Sequence, residues 1–466
     1  MLRLRSSLSR SEKVLVILFA LTVPFLHAQV RGDGIGYYAY ARSLLIDHNL
    51  QFAGDWKNPS EELLQAFLEG HRILANPLTE TGHLPNHWSV GPAMLWSPFL
   101  VVTHFVVLGL NRLGWQISAD GHSWPYLATV AGATAFYTFL GIWLSFRLAR
   151  SYVEERWAFL ATLGIWLGSS LPVYIYVDPS WSHALSAFCT SLFLWYWQRT
   201  RAVRTNRQWI VFGLISGLMI DVYFANAVFF LAPLLDSLSS YHHAWRTGDS
   251  APRLVRTISY SLVLYGTSVF LAFLPTLITR QIIFGSPFRS GLYTSQPWNW
   301  KSPAFAGLLF SSNHGLLVCT PILLLSFVGL FLLCRQAPTE GATYLAVTLA
   351  FYCLIAFFPW WHSTVGLGNR YFISLTPLFV VGLAATFSRA SRIWQDVRAA
   401  TWRLGTITAL LLAWNLGLVY QWSTNLMAIR TQVYWDEVLY NQFRVVPGEV
   451  LHDLARRLLP HRDAGV

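Results

Sequence analysis

About eleven apolar runs divide this chain, near residues 14–30, 92–113, 125–147, 157–176, 183–198, 208–236, 257–279, 305–333, 342–359, 371–387 and 404–423. Most are close to the roughly 20 residues that a helix needs to cross a bilayer, while 208–236 is longer. A segment lying in lipid must satisfy its own backbone N–H and C=O groups, so runs of this kind fold as helices. With 54% hydrophobic residues, 12% charged residues and 22 Trp, the chain carries more apolar surface than one soluble core can absorb. The expected fold class is an all-α polytopic membrane protein.

The net charge of +11 is not gathered into one patch of the kind that binds nucleic acid. It falls into short clusters between the apolar runs: residues 1–13, 147–156, 199–207, 246–256 and 389–403. Such clusters mark cytoplasmic ends of helices. Simple alternation cannot bring all of them inside, but two amendments do. If 92–113 lies in or dips into the outer interface, residues 30–124 become one long external loop. If 208–236 is a tight hairpin broken at Asp221-Val222-Tyr223, both of its basic flanks stay inside. About eleven crossings result, with a cytoplasmic N-terminus. The basic start and the many later spans favour a retained first helix over a cleaved signal peptide. Residues 1–423 then form one transmembrane domain, and 424–466 an extracytoplasmic tail whose end, 448–459, is amphipathic. Cys189, Cys319, Cys334 and Cys353 lie in or beside apolar runs, without metal-ligand spacing, and read as small buried hydrophobes.

On this topology the candidate chemistry converges on one side. Asp33 follows the first apolar run, and Asp178 sits in the turn before 183–198. Two partly desolvated carboxylates at helix mouths can act as a base and as an orienting group or metal ligand. The bland alternatives are a turn acid beside glycines for Asp33, a helix cap for Asp178 and a packed ring for His183. Gly32, Gly34 and Gly36 are not a dinucleotide fingerprint, because they follow a membrane helix and have the wrong spacing. Arg280, Arg289 and Lys301 precede the eighth crossing and Arg370 opens the tenth; guanidinium groups bind phosphate oxygens bidentately, or anchor at headgroups. Tyr37, Trp88, Trp298 and Trp361 offer stacking faces, although interfacial belts also use such residues. Acids beside phosphate-binding arginines at the mouth of a bundle point to displacement of a lipid-linked phosphate by a hydroxyl, that is, sugar transfer from a polyprenyl phosphate.

Four stretches carry a family resemblance: Gly32-Asp33-Gly34-x-Gly36-Tyr37-Tyr38-x-Tyr40-x-Arg42-Ser43-Leu44; Gly91-Pro92-Ala93-Met94-Leu95-Trp96-Ser97-Pro98-Phe99; Ser182-His183-Ala184; and Phe310-Ser311-Ser312-x-x-Gly315-Leu316-Leu317 with Gly368-Asn369-Arg370-Tyr371. Together they resemble bacterial GT-C glycosyltransferases related to protein O-mannosyltransferases and lipid A aminoarabinose transferases, over most of the chain from Arg31 to about Pro377. The resemblance implies a GT-C fold, a catalytic acid at Asp33 in a first external loop with interfacial helices, a second acidic turn at Asp178, and a polyprenyl-phosphate sugar donor. The substrate-binding candidates are Tyr37, Tyr38, Arg42, His183, Arg280, Arg289 and Arg370, with Asp221 and His314 as weaker site candidates. The chain departs from the pattern at Asp221, where a basic residue is usual, and at Asp178, where Glu is. A divalent cation, Mg or Mn, is left open as cofactor, and the acceptor is a lipid, glycan or protein. The competing classes are a lipid-sugar flippase, for which no internal repeat is seen, and a non-catalytic membrane scaffold.

Overall fold

The computed structural model describes residues 8–56, 78–246, 251–289, 298–362, 366–394, 396–427 and 433–458. Residues 57–77 of the expected first loop, 290–297 of the loop before the eighth crossing and 459–466 of the tail lie outside the described residues. The described chain is all-α, with no strand. Its main helices are α1 (Arg10–Thr22), α2 (Asp33–Arg42), α3 (Gly91–Arg112), α4 (Trp124–Ala149), α5 (Glu155–Gly168), α6 (Ser182–Thr200), α7 (Asn206–Val222), α8 (Leu231–Arg246), α9 (Ala251–Phe284), α10 (Ile322–Gln336), α11 (Pro338–Phe357), α12 (Thr376–Ser391), α13 (Val397–Ser423), α14 (Trp435–Tyr440) and α15 (Val446–Leu458). Among the described residues six helices are long and apolar enough to cross a membrane. The protein is thus an all-α membrane protein.

Burial separates core from lipid-facing elements. The span ending in α12 is 89% buried, whereas that in α9 is only 17% buried, and α9 turns Val263, Phe270 and Leu271 outward. Small residues allow the core helices to touch backbone to backbone, as membrane bundles require. A Cβ on Gly329 of α10 would lie 1.6 Å from the carbonyl oxygen of Gly382 on α12. Gly141 of α4 meets the backbone of Phe188 on α6, and Gly213 and Gly217 of α7 meet α9. Ser145 and Ser191 add a hydroxyl contact of 2.9 Å across the α4–α6 seam.

Several expected continuous runs are interrupted. The run 208–236 breaks at Tyr223 as the sequence suggested, and continues as a 3₁₀ segment, Phe224–Phe230, before α8. The run 305–333 is split into short helices Phe305–Phe310 and Leu316–Cys319 before α10. The end of 157–176 becomes a π-turn, Val173–Val177. The run 92–113 forms one 22-residue helix, α3, whose side-chain partners on α4 reach no further along it than its middle, where Phe99 stands edge-on to Tyr137 at 5.8 Å. Trp96 donates to Thr134, the hydroxyls of Thr103 and Thr129 lie 2.6 Å apart, and His104 meets Tyr126 at 2.7 Å. The second half of α4 instead packs on α1 and α6, with Arg147 bonded to Glu12 at 2.7 Å. Antiparallel to only half of α4, α3 shares the end at which α4 begins.

Charge collects at the other end. Glu12, with its side chain 3% exposed, is held by Arg147 and Arg150, and Arg201 bridges Asp236 and Glu340. The 19 residues of α6 separate this belt from the end bearing Asp33, Asp178 and Arg370 by about 28 Å.

Gly329→Ala forces a methyl into a backbone carbonyl and should lower stability by about 3 kcal/mol. Gly405→Ala, which has nothing within 4 Å of its Cβ position, should be neutral or slightly stabilising. Thermal unfolding of the two variants in detergent checks the contrast.

Candidate functional site

The chain after α1 is stitched to the turn before α6. His27 N–H donates to the Tyr176 carbonyl at 2.8 Å, Gln29 to the Val177 carbonyl at 2.6 Å, and the Trp181 indole to the Arg31 carbonyl at 3.0 Å. Arg31 pairs with Asp178, which is 2% exposed. Three glycines permit this closeness. Gly32, at φ +57°, lies under the Trp181 ring; a Cβ on Gly34 would strike Ser180, and one on Gly36 would strike Trp88. The glycine spacing therefore encodes contact with two tryptophans and a serine.

The stitch delivers Asp33 as the first residue of α2, where the helix dipole favours a carboxylate. One of its oxygens lies 3.6 Å from an Nη of Arg370, and its side chain is 37% exposed. Asp33 is open to small molecules yet recessed in protein, and this burial raises its pKa above the ordinary carboxylate value, with Arg370 and Trp88 opposing the shift. Asp178 is likewise raised by burial and drawn back by Arg31.

Arg370, 8% exposed, enters from the 3₁₀ segment before α12. Its Nε donates to His183 Nε2 at 3.1 Å, and its guanidinium lies 4.7 Å from the Trp181 ring and 5.3 Å from that of Tyr371. Aromatic faces partly replace the water that the charge has lost. Because arginine only donates, His183 Nε2 accepts, which puts the proton of the neutral ring on Nδ1. That Nδ1 is buried without a hydrogen-bond partner, as are Tyr174 Oη, His314 Nδ1 and Asn369 Oδ1. The His183 ring also meets Tyr174 and Tyr223 edge-on, each at 5.4 Å. Burial, with Arg370 and His362 nearby, pushes His314 down to about 4, so it is neutral at pH 7. A buried cation, a raised carboxylate and several unpartnered polar atoms can together accept an anion and take up a proton.

Of the expected site residues, Asp33, Tyr37, His183, Arg370 and His314 come together here. Tyr37 accepts from Ser182 at 3.0 Å and stands edge-on to Trp88. Asp178 stands behind them as the partner of Arg31. Tyr38 and Arg42 instead brace the segments that follow α2 and precede α4. The Tyr38 hydroxyl donates to the Gly121 carbonyl, while Arg42 bonds Asp47, Asp55 and the Asp120 carbonyl. Arg280 stacks on Phe224 at 4.7 Å. Arg289 pairs with Glu80 at 2.9 Å, both half-exposed or more. Neither arginine is ion-paired with Asp33 among the described residues. Asp221 is fully buried, and neither of its carboxylate oxygens has a hydrogen-bond partner. Arg31, Tyr174, Trp181 and Tyr371 were not among the expected site residues, although three of the four lie within three residues of Asp33, Asp178 or Arg370. Among the described residues no three His, Cys, Asp or Glu side chains converge as a metal site.

No protein-family model matches this chain, and no curated protein matches it.

Arg31→Gln strands Asp178 without its cation. A loss of about 2–3 kcal/mol is expected, below the full cost for a wholly buried pair because Arg31 is half-exposed. Adding Asp178→Asn should restore part of it; unfolding midpoints of the two single variants and the double variant decide.

Proposed function

We propose that this protein is an integral-membrane glycosyltransferase of the GT-C type (class EC 2.4), which moves a sugar from a polyprenyl-phosphate donor to an acceptor hydroxyl on the extracytoplasmic face of the inner or plasma membrane. The observation that carries this reading is the accessible, raised carboxylate of Asp33 beside the buried cation of Arg370, ringed by unpartnered polar atoms. Arg370 takes the donor phosphate, with His183 holding the guanidinium. Asp33 accepts the proton of the acceptor hydroxyl as its oxygen bonds to the anomeric carbon. The bond from that carbon to the phosphate oxygen breaks, and Arg370 stabilises the charge growing on the departing polyprenyl phosphate. Asp178 acts through Arg31, by fixing the segment that presents Asp33. Trp88, partly exposed beside Tyr37, supplies a face for the sugar.

The substrate sharpens its own base in this scheme. In the free site Arg370 steadies the Asp33 anion; once a phosphate occupies the guanidinium, the carboxylate loses much of that support and becomes more basic.

A groove of about 620 Å³ supports the lipid half of the reading. It is lined by Ala227, Phe230, Leu231, Leu234, Leu262 and Tyr265 among others, and starts four residues beyond Tyr223, whose ring meets His183. The finer architecture proposed with it is a bundle of about eleven crossings with a cytoplasmic N-terminus, in which α3 belongs to the outer side with the 30–124 loop. The pairing of α3 with only the first half of α4 supports that placement.

Asp33→Asn at matched expression should lower transfer of labelled sugar from polyprenyl-phosphate donors by about 100-fold or more. Unchanged transfer, or none from wild type across a broad donor panel, ends the proposal. For wild type, the acid limb of kcat/KM should fall above the ordinary carboxylate range, and that of kcat higher still. A pH–rate profile with both limbs at one pH would contradict the loss of Arg370's support on donor binding.

A further inference from the structure

The C-terminal segment beyond α13 reaches back to the site. Trp435, the first residue of α14, donates its indole N–H to the Ser312 carbonyl at 2.7 Å. The Val433 N–H donates to Asn313 Oδ1 at 3.1 Å. The Trp435 ring lies almost parallel to Trp414 of α13, at 6.3 Å and 8°, so the donor stands on a helix and not on a loose end. The turn it grips is tight: the Gly315 N–H donates to the Ser311 carbonyl at 2.9 Å, and a Cβ at Gly315 would lie 2.5 Å from that oxygen. Ser312 and Asn313, the two gripped residues, immediately precede His314, which is 8% exposed and has an unpartnered Nδ1.

We infer that His314 is a second ligand for the donor phosphate and that Trp435, with Val433, is a positioning residue which sets the His314 turn against Arg370. This rests on the transferase reading above. The His314 segment packs on the segment that carries Arg370: a Cβ on Gly368, two residues before Arg370, would lie 3.5 Å from the Cβ of Cys319, five residues after His314. A neutral imidazole adds a hydrogen bond to a phosphate oxygen without a second cation, and one cation matches the single negative charge of a phosphodiester-linked sugar. The tail thereby becomes part of the site and not merely a surface segment.

The test uses the full-length protein in detergent with a polyprenyl monophosphate as probe, comparing wild type, Trp435→Phe, His314→Ala, the double variant and Arg370→Gln. Trp435→Phe keeps the ring on Trp414 and removes only the donor. It should speed amide exchange across residues 311–316 and weaken probe binding about 3- to 10-fold, the value of one hydrogen bond. His314→Ala should weaken binding by a similar factor, and the double variant no more than His314→Ala alone, because the strap acts through the histidine. Asn313→Ala, which removes the acceptor of Val433, should reproduce the exchange effect if Trp435→Phe is poorly folded. Unchanged exchange in the strap variants, or losses that multiply in the double variant, overturn the positioning role. Arg370-dependent binding that His314→Ala leaves intact overturns the phosphate role and spares the transferase reading; absence of Arg370-dependent binding in wild type overturns both.

Discussion

Lipid offers the backbone no hydrogen bonds, so every interruption of a helix inside such a protein has to find partners in other protein segments. Here the interruptions are gathered into one place. The extended segment before α2, the π-turn before α6, the break at Tyr223, the split run at Ser311–Pro321 and the 3₁₀ entry to α12 meet at one end of the bundle. They satisfy one another through contacts such as His27 to Tyr176, Gln29 to Val177 and Asn369 to the Trp361 carbonyl. Non-helical backbone is also what can present a carboxylate, an imidazole and a guanidinium to a common point. The solvent constraint and the site are therefore two aspects of the same packing.

Within that place the controlling charge is Arg370. A buried guanidinium is costly unless compensated, and this one is met by His183, two aromatic faces and the Asp33 carboxylate. Asp33 stands at 3.6 Å, beyond hydrogen-bond range, and keeps part of its surface open. Arg31 and Asp178 form a separate, closed pair. The two acids thus divide into one engaged in holding the backbone and one left available for chemistry.

Much of this was legible in the sequence because it depends on local composition. The apolar runs gave the helices, and the break at Asp221-Val222-Tyr223 was visible as polar residues inside an apolar stretch. Asp33, His183 and Arg370 stood out because charged or polar residues at the mouths of apolar helices are rare. The arginines were harder. Arg42, Arg280, Arg289, Arg31 and Arg370 look alike as letters, and only their partners separate a loop brace, a stacked anchor, a surface ion pair, a segment clamp and a site cation. The glycines near Asp33 signalled close approach, but not to Trp181, Ser180 and Trp88, since those lie some 50 or about 150 positions away in the chain.

The sequence by itself determined that the chain is an all-α membrane protein with a basic end, and that its few intramembrane-edge acids and arginines merit notice, because hydropathy and charge act through each residue's own transfer energy. Tertiary structure alone decided which of those residues share a site, that α3 pairs with only half of α4, that 305–333 is broken, and that Trp435 reaches the turn before His314. Those outcomes depend on contacts between segments tens to hundreds of residues apart, chosen by the fit of small residues at helix seams and by where unsatisfied backbone can find a partner, and neither is a property of any local stretch.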